Sequence, residues 1–278
     1  MTDVETTRPL TLITGGSRGI GRILATGFAE AGYPVAITAT DADRAQAAAA
    51  EIAAETSGTV TGFGVDVSQP GSVAALRGDI EAHVQATGVR LGVLINNAGR
   101  VESSEGPLWE ADPDSLVGVI GTNVIGPLLM INAFAPLLIA TAEATGQPGR
   151  IIDLNSGSGA QGTPAYGAYS ASKAALFRIA DSVVHFGDER GLKIFELAPG
   201  VIRSDMTASM PMHDWRTEAD WTSPAELAAL ALAAASGELD GWTGRYIRAG
   251  HDTAETLSQQ IPAAGSQARK LITEMDIS

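Results

Sequence analysis

Cysteine is absent from the chain. That excludes disulfides, thiolate metal sites and a cysteine nucleophile, and it leaves the compartment undecided. Histidine is scarce: His83, His185, His213 and His251 are scattered, and no two share a helix at metal-ligand spacing. No metal is therefore expected. Positive charge is also in short supply, with 18 Lys and Arg against 32 Asp and Glu, a net charge of −14. Nucleic acid and anionic membrane are accordingly not expected as partners. Any anionic ligand has to be held by local dipoles and a few placed cations against the global field. Long unbroken apolar runs are missing as well. The longest candidate, Val117 to Ala142, is interrupted by Gly121, Asn123, Gly126, Pro127, Asn132 and Pro136, so no membrane span is expected. The opening MTDVETTRPL has neither a positive region nor an apolar core. It does not read as a signal peptide, and a cytoplasmic location is the resulting expectation.

What is present suits a filled core: 278 residues with 45% hydrophobic content and a mean hydropathy of +0.10. No repeat, low-complexity segment or linker marks a second unit, so 1–278 reads as a single domain. Short strands alternate with helices. Leu10 to Thr14 is a first strand, followed by Gly15-Gly16-Ser17-Arg18-Gly19-Ile20-Gly21 and a helix that Gly32 ends. Val35 to Thr40 is a second strand, Val60 to Val67 a third and Leu91 to Ile95 a fourth, with helices over Ala42 to Thr56 and Val73 to Ala86 between them. Arg150 to Asn155, Lys193 to Leu197 and Gly244 to Arg248 supply the remaining strands. This alternation predicts an α/β doubly wound parallel sheet. Residues 1–8 read as a frayed polar tail. Pro224 to Ser236 is predicted as a helix, with Ser223 and Glu226 at capping-box spacing.

A glycine-rich turn between a strand and a helix lets backbone approach a pyrophosphate seated on the helix N-terminus. The spacing here is G-x-x-x-G-x-G. An acid at the end of the second strand would bind a ribose 2′-hydroxyl and repel a 2′-phosphate. Ala39 stands where that acid is expected, Thr40 is next to it, and Arg18 lies nearby in the glycine loop. Arginine suits a phosphate, so NADP is favoured over NAD. Asp41 weakens the preference if it points inward.

The chemistry centres on Ile151 to Lys173. Ser156 comes just after the fifth strand, and Tyr169 and Lys173 lie four apart on the next helix, hence on one face. A phenol titrates near pH ~10 and is a poor acid or base at neutral pH. An ammonium beside it is expected to lower that value. Such a tyrosine can give a proton to a carbonyl oxygen or take one from an alcohol, and Ser156 can hold the same oxygen. The trio lacks a nucleophile's base, so it suits redox at carbonyl carbon with hydride from a cofactor. Tyr-x-x-x-Lys alone is weak, because any helix can carry that pair on a solvated face.

Together the residues resemble the short-chain dehydrogenase/reductase family over about residues 9–250. The pieces are Thr14-Gly15-x-x-x-Gly19-Ile20-Gly21, Asp66-Val67, Asn96-Asn97-Ala98-Gly99, Asn123, Ser156, Tyr169-x-x-x-Lys173 and Pro199-Gly200. The resemblance implies a Rossmann sheet of about seven strands in order 3-2-1-4-5-6-7. It implies Tyr169 as acid/base, Lys173 lowering its pKa and binding the nicotinamide ribose, Ser156 orienting the substrate oxygen, and Asn123 supporting a water-linked relay. Gly15, Ser17, Arg18, Gly19, Ile20, Gly21 and Thr40 would line the adenosine and phosphate site. Asp66 and Val67 would meet the adenine, Asn97 with Ala98 and Gly99 the adjoining ribose, and Ile202 the nicotinamide amide after Pro199-Gly200. Ser204 stands where the family often has threonine. The implied activity is NADP-dependent interconversion of a ketone and a secondary alcohol; a catalytically silent NADP-binding regulator is the alternative.

Two further segments are distinctive. Val201 to Thr222 is long for a loop and holds Met206, Met210, Met212, Trp215 and Trp221, which predicts a lid over an apolar pocket. Residues 251–278 read as a polar tail with a short helix after Ser266. The family's usual ending packs across a tetramer interface, so this tail counts against a tetramer. A homodimer through the helices of Asn123 and Tyr169 is implied by analogy, with a homotetramer as the other possibility.

Overall fold

Apolar runs that bury both faces make central strands of a parallel sheet, because helices cover each side. Leu10–Ile13 (β1) and Leu91–Asn96 (β4) are buried at every position. The computed structural model describes residues 8–263 and 265–272. Around β1 and β4 it sets Val35–Ala39 (β2), Val60–Gly64 (β3), Gly149–Leu154 (β5), Leu192–Ala198 (β6) and Arg245–Arg248 (β7). All seven strands form one sheet in the order β3-β2-β1-β4-β5-β6-β7, every pairing parallel. The chain therefore has the Rossmann topology expected from its sequence. The winding reverses between β1 and β4, and the crevice beyond the carboxyl ends of those strands is where ligands bind in such sheets.

Helices Gly19–Glu30 (α1) and Ala42–Thr56 (α2) lie on one face. Pro70–Thr87 (α3) lies on the other. Asp41 caps α2, its carboxylate accepting from the N–H groups of Asp43 at 2.9 Å and Arg44 at 3.3 Å. On the α1 face, Leu24, Phe28 and Ile52 pack with Ile37, Phe195 and Leu230. Opposite, Leu76, Ile80, Met130 and Phe134 pack on Leu94, Ile151 and Ile194. Each such side chain contributes about 1.5–3 kcal/mol by leaving water.

Between β4 and β5 the chain runs as Pro113–Ile120 (α4), a π-turn over Gly121–Ile125 and Gly126–Thr145 (α5). The glycines and prolines that the sequence suggested would break this run do not break it. Pro127 follows the π-turn directly, and Pro136 is carried inside α5. By length and composition alone, Pro113–Thr145 passes as a membrane span, with mean hydropathy 2.0 in its most apolar window. Here α5 packs on β4, β5 and α3 as a core helix of the sheet.

Gly157–Gln161 (α6) and Gly167–Gly187 (α7) come after β5, with Asp205–Ala208 (α8), Pro224–Ser236 (α9) and Ala254–Ser258 (α10) completing the order. The capping box of Ser223 and Glu226 is formed at the start of α9.

The C-terminal end differs from expectation. Residues 1–7 lie outside the described residues, and Arg8 donates to the Tyr33 hydroxyl at 3.0 Å. The described part of 251–278 is folded onto the body, and its helix is α10 rather than a segment after Ser266. Leu257 is buried in the core. Asp252, 3% exposed at its side chain, accepts two hydrogen bonds from Arg269 at 2.5 and 2.9 Å. The Arg269 carbonyl in turn accepts from Tyr246 N–H at 2.9 Å, which covers the open edge of β7. Residues 273–278 lie outside the described residues.

Burial acts to raise the Asp252 carboxyl, but the Arg269 guanidinium and the Arg248 N–H outweigh it and hold it below its usual value. A carboxylate lowered on folding stabilises above its unfolded pKa of about 4, and that contribution disappears as pH falls through the folded value. Asp252→Asn should thus cost about 1–3 kcal/mol at neutral pH. The difference from the parent should shrink in acid, as read from urea midpoints across pH.

Candidate active site

The turn after β1 has the shape of an anion cradle. Gly15 adopts φ +66°, a left-handed conformation that glycine enters without strain. A Cβ on Gly21 would fall 2.2 Å from the Gly15 carbonyl oxygen, so turn and helix touch backbone to backbone. Arg18 occupies the N-cap of α1 without a side-chain cap, and no acid stands in the first turn. The N–H groups of Gly19, Ile20 and Gly21 are thereby left to a ligand, in the field of the helix dipole. Ser17 lies in the same turn. These features fit a dinucleotide pyrophosphate.

Residues from neighbouring strand ends brace this cradle. Thr14 Oγ1 accepts from the N–H groups of Asn97 and Ala98, both at 3.0 Å. Asn97 Nδ2 donates to the carbonyls of Thr14 at 2.8 Å and Gly15 at 3.1 Å. Both amide protons are taken, so the Asn97 side chain ties β4 to the turn instead of offering a donor to a ribose. Thr40 is exposed at the end of β2. The Asp66 carboxylate accepts from Ser68 N–H and Oγ at 3.0 and 2.7 Å, and Val67 is buried under Gly126. Arg18 is not free: it reaches Asp205 at the start of α8, at 2.5 Å.

The segment after β6 crosses above. Thr222 packs on Gly200, its Oγ1 accepts from Val201 N–H at 3.1 Å, and its N–H donates to the Val201 carbonyl at 2.8 Å. Residues 201–222 thus leave and rejoin the body at one point. Within them lie α8 and two short 3-10 turns. Ile202 and Met210 are buried. Ser204 caps α8 and stands over Gly19, 3.7 Å from where a Cβ there would be.

Ser156, Tyr169, Lys173 and Asn123 converge at the carboxyl end of β5. Ser156 caps α6, accepting from Ser158 N–H at 3.2 Å, and its hydroxyl lies close enough to the Tyr169 phenol to favour the phenolate. Lys173 Nζ lies 5.6 Å from the Tyr169 ring centre and donates to the Leu154 carbonyl at 2.6 Å. Asn123 sits in the π-turn. Its Oδ1 accepts from Arg100 N–H at 2.9 Å; its Nδ2 donates to the Arg100 carbonyl at 2.8 Å and to Ser172 Oγ at 3.0 Å. The side chain therefore clamps the chain just past Gly99 and has no free donor for a water relay.

One expectation is corrected. The sequence predicts a phenol lowered by Lys173. The Tyr169 pKa is raised, because burial outweighs the pull of the Ser156 hydroxyl toward the phenolate and the Glu102 carboxylate adds to it. Burial also brings the Lys173 ammonium down to about 8, against the pull of Asp153 and Glu196. Dehydration, not the cation, dominates both groups.

Three features escaped the sequence reading. Glu102 is buried and accepts from Ala168 N–H at 2.6 Å and Tyr169 N–H at 3.2 Å, so it caps α7. Glu105 accepts from the Tyr166 hydroxyl at 3.2 Å and Met212 N–H at 3.1 Å, joining the 100–111 loop to the 201–222 segment. A cavity of about 250 Å³ lies beside them, lined by Glu102, Glu105, Leu108 and Gly167. Neither glutamate carried a spacing signal, since both act across 60 or more residues. The third feature, Asp153 and Glu196, was visible as acids inside apolar strands.

An open glycine turn at the switch point of a parallel sheet, with a phenol and an ammonium at the next strand end, defines a nucleotide-dependent oxidoreductase of the Rossmann class. The chain belongs to the short chain dehydrogenase family, whose model matches residues 9–215. It is 33% identical over 254 residues to a short chain dehydrogenase of Monascus purpureus, covering 89% of this chain and 82% of that one. It is 34% identical over 252 residues to the rhamnolipids biosynthesis 3-oxoacyl-[acyl-carrier-protein] reductase of Pseudomonas aeruginosa, covering 86% and 91%. Its structure is similar to a gluconate 5-dehydrogenase from Burkholderia cenocepacia in complex with NADP and tartrate, with a TM-score of 0.76, 27% identity and coverage of 86% and 92%.

Glu102→Gln keeps an acceptor for the cap but removes its charge. It should cost about 1 kcal/mol of stability. It should also lower the Tyr169 pKa, because a negative neighbour no longer opposes the phenolate. The tyrosinate absorbance lost on adding Tyr169→Phe reads that shift.

Proposed function

We propose that the chain is an NADP-dependent oxidoreductase that interconverts a ketone and a secondary alcohol, with Tyr169 as acid/base. The observation that carries this reading is the meeting of Ser156, Tyr169 and Lys173 beside an uncapped glycine turn. A bound nicotinamide dinucleotide would supply the hydride. In the reducing direction Tyr169 gives its proton to the carbonyl oxygen, which Ser156 orients. In the oxidising direction Tyr169 takes the alcohol proton. Lys173 keeps a positive charge behind the phenol, so the phenolate formed on proton donation is stabilised. The segment 201–222 serves as a lid; Ile202 and Ser204 place its first turn over the cradle.

NADP is favoured because Arg18 stands in the glycine turn at the start of α1, Thr40 is exposed at the end of β2, Ala39 bears no acid, and the Asp41 carboxylate is engaged as the α2 cap. The Arg18–Asp205 pair, with side chains 61% and 74% exposed, is worth at most about 1 kcal/mol, so a 2′-phosphate can displace Asp205. The partner surface favours a homodimer. Val117, Ile120, Ile125 and Leu128 expose an apolar strip from α4 through the π-turn to α5, while residues 268–269 cover the β7 edge.

Tyr169→Phe should lower kcat by about 10²–10⁴-fold while NADPH affinity stays within a few-fold; retained turnover would refute the assignment. Arg18→Ala should weaken NADPH by about 10- to 100-fold, with NADH little changed. Equal losses for both cofactors, measured by fluorescence titration, would overturn the NADP preference.

A further inference from the structure

Four residues stand in one register row near the carboxyl edge of the sheet: Asn96 pairs with Asp153, Asp153 with Glu196, and Glu196 with Tyr246. Register partners on parallel strands point to the same face. For Asn96, Asp153 and Glu196 it is the face of Leu94, Ile151 and Ile194, packed beneath α5 and α7. Asp153 and Glu196 are both 0% exposed. Asn96 Nδ2 donates to Asp153 Oδ1 at 2.7 Å, and Asn155 Nδ2 donates to Glu196 Oε2 at 2.6 Å. Each acid keeps one oxygen, Asp153 Oδ2 and Glu196 Oε1, buried without a partner.

The charge count does not close if both acids ionise. The charged groups acting on the pair are Lys173 and Asp181, both from α7. Two carboxylates against one buried ammonium leave an excess negative charge in a dry site, which costs several kcal/mol. One retained proton removes the excess. It also supplies the missing donor: a protonated carboxyl on one strand can donate to the orphaned oxygen on the next, about 4.8 Å away between strand axes. Burial pushes both acids up, and their mutual repulsion adds to the rise at Glu196.

We propose that Asp153 and Glu196 share one proton and act together as a positioning pair, whose single remaining negative charge keeps Lys173 protonated behind Tyr169. The proposal rests on Lys173 and Tyr169 having the roles given them under the proposed function. Either acid alone can carry that one charge. Asp153→Asn and Glu196→Gln should therefore each keep the parent's dependence of kcat on pH. The double variant removes the charge, so the alkaline fall in kcat should move down by about one pH unit, a tenfold change in the Lys173 equilibrium. The KM for NADPH at neutral pH should stay within a few-fold.

Isotope-edited carboxyl NMR of the ligand-free protein tests the shared proton without reading activity. One carboxyl of the pair should remain protonated at neutral pH, and in Glu196→Gln the surviving acid should ionise at lower pH. Two carboxyls ionised together at neutral pH, or a double variant with the parent's pH profile, would overturn the proposal. If the amide variants fail to fold, the parent's NMR titration decides. An inactive parent would sink the oxidoreductase reading while leaving the NMR result to judge the pair.

Discussion

The ammonium of Lys173 sits where water does not reach, and the carboxyl edge of the sheet is arranged around that fact. Its hydrogen bond is to the Leu154 carbonyl, a backbone oxygen that the end of β5 leaves unpaired. Taking a charge out of water is unfavourable by several kcal/mol unless counter-charge and hydrogen bonds offset it. The sheet supplies the counter-charge from below, through Asp153 and Glu196. Helix α7 supplies the position, because Tyr169 and Lys173 stand one turn apart over the same strand end. The depth that lowers the amine also raises the phenol. Dehydration thus acts on both groups, and in each it favours the neutral form.

Much of this could be read directly from the chain. The strands were legible because a parallel sheet covered on both faces needs unbroken apolar runs such as LTLI and LGVLI. The glycine turn was legible because backbone contact between Gly15 and Gly21 admits no side chain. Tyr169 and Lys173 were legible because helical spacing is local. What escaped was nonlocal. Glu102 meets the α7 amides only because β4 and β5 are sheet neighbours, and Glu105 meets Met212 only once the 201–222 segment has folded over. The pKa direction of Tyr169 was misread for a related reason: spacing reveals which charge is near but not how little water remains. Pattern misled in the tail, where polar composition concealed a buried Asp252 held by Arg269 and a core leucine, Leu257.

The same nonlocality links the cradle and the segment above it. Arg18 belongs to the glycine turn, and Asp205 opens α8. Ser204 lies over Gly19, and Glu105 holds Met212 from the far side. The 201–222 segment is therefore fastened at both of its working ends by exposed polar contacts, each weak in water. Its root at Val201 and Thr222 is fixed by backbone hydrogen bonding. The root of the segment is thus held more firmly than its tip.

The π-turn at Gly121–Ile125 sets the phase of α5. It holds Asn123 against Arg100 on one side, and on the other it determines which flank of α5 meets the sheet. An α-helix advances about 100° per residue. The π-turn holds one residue more than an α-turn, so a deletion there is absorbed by reversion to α-helix, whereas a deletion between the turn and Met130 would rotate Met130, Phe134 and Leu138 off β4 and β5. The length of α5 beyond the turn is consequently under tighter constraint than its composition: a conservative replacement leaves the core seated, whereas a single deletion there unscrews it.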